Sequence, residues 1–330
     1  MKTLFKSYPI LSFVVLAYII TFFFWFLPAV VSLPTDVVFG IILIGGFGPM
    51  FPAYLITAVN SGEKIRIKSI PIFIGIFVAA STIVIIRLYL VNNGMSDNNG
   101  TSPHLSEVTF PGWISIAAAV FFLAFLVSNA FNGNLKENFL RSFLYEKGKL
   151  KWYIFGLAFF IVLNLSSYFI GKLIYYPTSD QIFNIKPTRI VGILFIFFAL
   201  AGEEFGWRGF LQKELQKKYN PLVATLVISA VWSAWHLPLY YNGFYSTGGY
   251  MEILPRFIWQ IPLTIVFTWL YNKSGYSILA VLILHVMNNS KSVFGSSYWP
   301  YVILGLLFCI YCIINDKMWK KKDYHLVYER

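Results

Sequence analysis

The chain is poor in charge and in cysteine. Only 12% of its 330 residues are charged, and 14 acidic residues stand against 26 basic ones. Two cysteines exclude a disulfide framework. Cys309 and Cys312 have the spacing of a metal or redox pair, but they lie in an apolar run with no second pair, so we interpret them as small buried side chains. No internal repeat is detectable, which argues against a transporter built from two repeated halves.

Long apolar runs fill most of the chain instead. Hydrophobic residues make up 58% and aromatic residues 19% of the sequence, and the mean hydropathy is +0.66. This is more apolar surface than one soluble core could bury, so we predict an all-α, polytopic transmembrane helical bundle. Runs long enough to cross a bilayer, about ten of them, lie near residues 10–32, 37–59, 70–91, 113–131, 152–174, 189–211, 221–241, 256–272, 275–292 and 298–315.

Basic residues predict the orientation of this bundle. If both termini are cytoplasmic, 19 of the 26 basic residues fall on the cytoplasmic side and five on the other, with Arg87 and Arg208 inside spans. The net charge of +12 then reflects orientation and contact with the lipid bilayer, and no nucleic-acid partner is expected. We expect a multi-pass protein of a cell membrane, the bacterial plasma membrane being the interpretation most compatible with the composition.

Glu203 and Glu204 are the acidic residues that hydropathy places inside the membrane. An ionisable side chain there costs roughly 2.5 to 3.5 kcal/mol, so two adjacent carboxylates suggest a function. On a helix, Glu204 and Arg208 are four residues apart and can neutralise each other, while Glu203 points about 100° away. Glu203 is therefore the freer carboxylate and the candidate general base. In the structural alternative, both acids only anchor helix ends against Arg208 and Lys213.

Two histidines in separate spans complete a candidate site. His236 follows Trp232 by one helical turn, and imidazole suits proton transfer near neutral pH. His285 and Asn289 are four residues apart, so two hydrogen-bond donors share one helical face, as a developing oxyanion requires. A lone histidine is more often a core residue, and Asn288 could make an ordinary hydrogen bond between helices. Each signal is weak alone, but together they define a site.

Three motifs in this order resemble the CAAX protease and bacteriocin-processing family of intramembrane proteases, also called the Abi family. They are Glu203-Glu204-x-x-x-Arg208, Trp232-x-x-x-His236 and His285-x-x-x-Asn289. The resemblance covers about residues 191–292, and Trp232 stands where Phe is commoner.

The resemblance implies an endopeptidase of the glutamate type that cuts peptides at or in the membrane. Glu203 and His236 would activate water, and His285 and Asn289 would hold the oxyanion, with no cofactor. Glu204, Arg208 and Trp232 would support them. The partner would be a peptide or protein substrate, either of the CAAX type or a bacteriocin or pheromone precursor, with a possible role in self-immunity.

The charged stretch 132–151, the basic C-terminus and the limits of the resemblance suggest a division of the chain. Residues 1–150 would be N-terminal helices outside the family core, residues 151–318 the catalytic core, and residues 319–330 a basic cytoplasmic tail. The aromatic loop 240–245 lies next to His236 and could gate the entry of substrate. The predicted spans place Glu203 nearer the inner membrane surface and His236 nearer the outer one, a mismatch that soft span boundaries can absorb.

Three alternatives to a glutamate-type protease are a zinc protease, a non-catalytic membrane protein and a transporter. Glu203, His236 and His285 could be ligands of a catalytic zinc ion, since two histidines and one carboxylate are a known open zinc set. No His-Glu-x-x-His helix accompanies them. A non-catalytic immunity or scaffold protein would not need all four residues together, and a proton-coupled transporter lacks its repeats.

Overall fold

The computed structural model describes residues 2–67, 69–93, 103–131, 133–183, 187–242, 244–245, 251, 253–290 and 293–321. Eleven helices of twelve or more residues dominate these ranges. They are α1 (Pro9–Val30), α2 (Thr35–Gly46), α3 (Met50–Ser61), α4 (Ile70–Asn92), α5 (Phe110–Asn129), α6 (Leu150–Leu173), α7 (Pro187–Gly206), α8 (Pro221–Trp235), α9 (Ile253–Lys273), α10 (Ile278–Asn289) and α11 (Tyr298–Asn315). Short helical segments lie at Lys2–Ser7, Leu105–Glu107, Gly133–Leu135, Lys136–Leu140, Arg141–Phe143, Lys147–Lys149, Trp207–Gln212, Lys213–Lys218 and Pro238–Tyr241.

The all-α prediction is confirmed for the described ranges, where the extended pairing consists of one isolated bridge between Phe183 and Phe294. Within these ranges, eight helical segments are long enough and apolar enough to cross a membrane, so the chain is a multi-pass membrane protein. Each corresponds to one of the ten predicted spans. The orientation of the termini and the division into residues 1–150, 151–318 and 319–330 stay predictions.

The other two predicted spans differ in form. The run 275–292 contains α10, which has 12 residues and is therefore about 18 Å long, well short of the hydrocarbon thickness. The run 189–211 contains α7, which continues directly into the π-helix Trp207–Gln212 and the helix Lys213–Lys218. A π-helical turn holds extra residues per turn and is frequent at functional sites. Glu203 and Glu204 lie in the last turn of α7 before it.

The second predicted span, 37–59, is broken in the middle. α2 ends at Gly46 and α3 begins at Met50, in a stretch where Gly48 and Pro49 interrupt the helix. α7 packs closely against this break. A Cβ atom on Gly202 would lie 2.6 Å from the Phe47 ring, and one on Gly206 would lie 2.4 Å from Cβ of Pro49.

Small residues let helix backbones approach each other in membranes, so the glycines that flank the two acids fix the depth and rotation of α7 at the break between α2 and α3. The N-terminal helices thus help to position the residues on which the function would depend, although the family resemblance does not reach them.

α1 packs against α8 through two hydrogen bonds and one aromatic contact. The Tyr18 hydroxyl donates to the carbonyl oxygen of Val231 at 2.7 Å, and Trp235 Nε1 donates to Thr21 Oγ1 at 2.7 Å. The rings of Trp25 and Trp235 lie 4.4 Å apart. The first helix of the chain therefore holds the helix that carries the second motif.

The helices that follow α7 pack against one another and against α6. α8 packs along α9, α10 packs against both α6 and α7, and α11 covers α6 and α9. Cys309 and Cys312 are buried in α11 as unbonded thiols, and Cys309 Sγ donates to the carbonyl oxygen of Pro262 at 3.3 Å. Their interpretation as small buried side chains is confirmed.

Candidate active site

Glu204 is the centre of a buried charged cluster. It is fully buried, as is Arg208, whose Nη1 donates to Glu204 Oε1 at 3.3 Å. His285 Nδ1 donates to the same oxygen at 2.7 Å. The guanidinium carbon of Arg208 lies over the rings of Trp232 and Phe267, at 4.6 and 4.8 Å from their centroids. The predicted pairing of Glu204 with Arg208 is therefore present, and it extends to the third motif.

Glu203 is held differently. Its Oε2 accepts a hydrogen bond from Trp232 Nε1 at 2.7 Å, and 8% of the residue is exposed. In the part of the chain that the structure describes, Glu203 forms no ion pair. It lines a cavity of about 1240 Å³. The prediction that Glu203 is the freer carboxylate of the two agrees with this geometry.

His236 terminates α8 and faces the same cavity. Its Nδ1 lies 2.7 Å from the carbonyl oxygen of Trp232. A carbonyl oxygen only accepts, so Nδ1 carries the proton, and in the neutral imidazole Nε2 offers a lone pair. The ring also packs edge-on against Trp235, with centroids 4.7 Å apart. The backbone of α8 thus fixes the tautomer of His236 as one that can accept a proton through Nε2.

The His285 ring is fixed by a carboxylate rather than by a carbonyl. Because Nδ1–H donates to Glu204, a neutral His285 has no proton on Nε2 and cannot donate there. It becomes a donor through Nε2 only as the imidazolium. His285 therefore suits the stabilisation of negative charge at the moment a proton is available.

Asn289 lines the cavity one turn after His285. Its Oδ1 accepts a hydrogen bond from Asn288 Nδ2 at 3.1 Å, which leaves the Asn289 amide N–H groups to donate elsewhere. Asn288 also lines the cavity. The bond to its neighbour takes the place of the interhelical hydrogen bond that we considered for Asn288 from the sequence.

The structure brings the four candidate catalytic residues to one cavity: Glu203, His236, His285 and Asn289. The mismatch in depth that the predicted spans gave for Glu203 and His236 is absent. The indole of Trp232, one turn before His236, reaches across from α8 to Glu203.

The cavity also has a wall that we did not predict. Arg256 and Gln260 of α9 line it, together with Tyr240 and Tyr245 of the aromatic loop, of which Gly243 lies outside the described residues. The loop was recognisable by its composition, but Arg256 was not, because one basic residue near a span end is ordinary.

The segment that carries the three motifs is similar to known proteins. Residues 186–291, which contain all three motifs, match the family described as type II CAAX prenyl endopeptidase Rce1-like. This segment is similar to the Rce1-like family. A relative, CAAX prenyl protease 2 of Methanococcus maripaludis, is 27% identical over 179 residues, which cover 50% of this chain and 64% of that protein. The chain thus spans less than two thirds of the length of that relative.

The Rce1-like segment contains α7, α8, α9 and α10, and with them every predicted catalytic residue. The family resemblance read from the three motifs is confirmed by this match. α1 to α6 lie before the matched segment, and α6 nevertheless lines the cavity through Phe159, Phe160 and Leu163.

The zinc alternative was tested against the donor atoms. Across the described ranges, no three histidine, cysteine, aspartate or glutamate side chains form a group that could hold a metal ion. The Nδ1 atoms of His236 and His285 and one oxygen of Glu203 have hydrogen-bond partners, and histidines that bind a metal through Nε2 are usually held at Nδ1 in the same way. Zinc stays an alternative from the sequence, and no step of the reaction proposed for Glu203 and His236 uses a metal.

Proposed function

We propose that the chain is an intramembrane endopeptidase that hydrolyses membrane-associated peptides with water activated by Glu203 and His236. The observation that carries the proposal is one cavity, lined mainly by apolar helices, that holds three groups: a carboxylate with no ion pair among the described residues, an imidazole with an available lone pair, and an amide donor. These are the groups that peptide hydrolysis by direct attack of water needs.

The proposed reaction needs no covalent intermediate. A water molecule donates hydrogen bonds to Glu203 and to His236 Nε2, and Glu203 takes a proton as the water oxygen bonds to the peptide carbonyl carbon. The carbonyl oxygen becomes an oxyanion, which accepts from the Asn289 amide and from the His285 imidazolium. The proton on Glu203 then passes to the amide nitrogen, the carbon–nitrogen bond breaks, and a carboxylic acid and an amine leave.

Glu204 would serve this reaction indirectly. It holds His285 at 2.7 Å and is itself held by Arg208, so it both orients the imidazole and compensates its positive charge. A carboxylate that orients a histidine in this way fixes both the tautomer and the ring plane.

For the substrate, we propose peptides of the class named by the relative, a CAAX prenyl protease. The apolar cavity wall formed by α6, α9 and α11 suits a substrate with an apolar attachment. Processing of bacteriocin or pheromone precursors, with a role in self-immunity, uses the same chemistry and is the second candidate from the sequence resemblance. A bacterial plasma membrane stays the predicted location.

The test is peptide cleavage by protein purified in detergent. A prenylated CAAX peptide and an unprenylated leader peptide are incubated with the wild type, with Glu203→Gln and with Glu137→Gln, each with and without a zinc chelator. Glu137 is an exposed carboxylate on the surface, which makes it a matched control. We expect Glu203→Gln to lower kcat by about 10²- to 10⁴-fold, as loss of a general base does, and the control to be unaffected.

Activity that survives Glu203→Gln would refute the proposed base, provided that both proteins unfold at the same temperature. Activity of the wild type that disappears with the chelator and returns with zinc would support the metalloprotease instead. No cleavage of either peptide, with peptide binding intact, would favour the scaffold function.

A further inference from the structure

One basic side chain stands on the cavity wall. Arg256, in the first turn of α9, is the only lysine or arginine among the described residues that line the cavity. Glu203 is the only acidic one in that set. The cavity therefore has one positive and one negative side chain, and each comes from a different helix.

Arg256 is held in place without being neutralised. Its guanidinium carbon lies 5.1 Å from the centroid of the Tyr245 ring. Its Nε is buried and has no hydrogen-bond partner. Within the described ranges, Arg256 forms no ion pair with a carboxylate. A guanidinium that faces a cavity without such an ion pair is available to bind an anion.

Gln260 is the second unfilled donor, one helical turn further along α9. The residue is 6% exposed, it lines the cavity, and its side-chain Nε2 has no hydrogen-bond partner. Residues four apart lie on the same helical face, so Gln260 and Arg256 present their donors to the same space. Buried donors in native proteins nearly always have an acceptor, so two that line one cavity require water or a ligand that supplies oxygen atoms.

From these donors we infer that Arg256 and Gln260 bind a carboxylate of the peptide substrate. This inference rests on the proposed peptidase function and adds an anchor to it. A carboxylate can take two parallel hydrogen bonds from a guanidinium and a third from an amide, which no neutral peptide group can match.

The position of the anchor relative to the catalytic residues gives it a role in choosing the bond that is cut. The Tyr245 ring is close to both Arg256 and His236, with its centroid 5.1 Å from the guanidinium carbon and 6.3 Å from the centroid of the imidazole. A carboxylate held by Arg256 is therefore separated from the attacked carbonyl by a short stretch of extended peptide. Both the free C-terminus of a peptide and an acidic side chain could supply it.

Burial raises the pKa of the Tyr245 phenol, which therefore stays neutral and can donate to the same carboxylate or support the guanidinium. The aromatic loop would then be part of the binding site rather than a separate gate.

The experiment compares three peptides of one sequence: one with a free C-terminal carboxylate, one with a C-terminal amide, and one with the amide and an aspartate near the C-terminus. Binding is measured by fluorescence anisotropy in the Glu203→Gln background, so that no cleavage is needed. The added variants are Arg256→Gln, Arg256→Lys and the control Arg141→Gln, which changes an arginine exposed on the protein surface. Steady-state cleavage is measured separately with Glu203 intact.

In the Glu203→Gln background, we expect the amide to bind about 10- to 100-fold more weakly than the free acid, the range for one charged hydrogen-bonded contact. In Arg256→Gln both peptides should bind equally weakly, Arg256→Lys should recover part of the difference, and Arg141→Gln should retain it in full. With Glu203 intact, the change should appear in KM and not in kcat. If the aspartate peptide binds as tightly as the free acid, a side-chain carboxylate is the source, and otherwise the C-terminus is.

The inference is overturned if the amide and the free acid bind equally to protein with Arg256, or if Arg256→Gln weakens both by the same factor, which would indicate that Arg256 only supports the fold. Binding that depends on Arg256 and the carboxylate, without cleavage by the wild type, would keep this inference and refute the peptidase.

Discussion

Replacing Arg208 alone should destabilise the protein more than replacing Arg208 and Glu204 together. Both side chains are fully buried, and Glu204 Oε1 accepts from Arg208 Nη1. Glu204 Oε2 has no hydrogen-bond partner, so Arg208 is the main compensation for that carboxylate beside His285. Removal of one partner of a buried ion pair leaves an uncompensated charge and costs about 3–5 kcal/mol.

The double substitution removes both charges. We expect Arg208→Met to lower the free energy of unfolding by about 3–5 kcal/mol, and Arg208→Met combined with Glu204→Gln to recover about half of this loss or more, because neutral groups of similar volume often replace buried ion pairs without loss. Methionine keeps part of the packing over the Trp232 and Phe267 rings that the guanidinium now makes.

The assay is equilibrium unfolding in mixed detergent micelles, followed by tryptophan fluorescence, for the two single variants and the double variant. Arg141 and Glu137 supply a matched control, since they are also an arginine and a glutamate four residues apart but are exposed. Their coupling energy should be about 0.3–0.5 kcal/mol. A coupling energy of the buried pair no larger than that of the surface pair would refute the reasoning.

Two further changes test other parts of the structure. Gly206→Ala should lower the free energy of unfolding by about 1–3 kcal/mol and reduce cleavage, because its Cβ would overlap Pro49. Gly75 is a helical glycine with open space around it, so Gly75→Ala should not destabilise the protein. Equal melting temperatures for the two variants would contradict the close packing at the break between α2 and α3. Burial lowers the pKa of Lys213 from 10.5 to about 8, so the unfolded chain binds this proton more tightly than the folded one, and the free energy of unfolding should rise as the pH rises from 8 to 10.5. Lys213→Met should flatten this rise when melting temperatures are measured across that pH range. An unchanged slope would show that other groups cause the rise.

The sequence predicted correctly those features of the fold and the site that a single physical rule determines. Length and hydropathy located the helices, and the four-residue spacing of Glu204 and Arg208 gave a contact that needs no knowledge of the fold. The three motifs placed Glu203, His236, His285 and Asn289 in one site, and they do line one cavity.

Contacts between helices that are distant in the sequence could not be predicted. The hydrogen bond from Trp232 to Glu203 depends on the rotamer of a large side chain and on the separation of α7 and α8. The interruption at Gly48 and Pro49 was visible in the sequence, but a hydropathy window averages over it and returns one span. Arg256 and Gln260 became notable only when the structure showed donors without acceptors.

The pairing of Glu204 with Arg208 has a consequence for biogenesis. Because both residues belong to one continuous helical segment, α7 and its π-helical extension, their charges can neutralise each other while this segment enters the bilayer, before α8 is present. Glu203 has no such partner on its own helix and receives its hydrogen bond from Trp232 only when α8 has packed beside α7. Insertion of the segment and completion of the proposed site around Glu203 are therefore successive events, because the bond from Trp232 forms only after α7 and α8 have met.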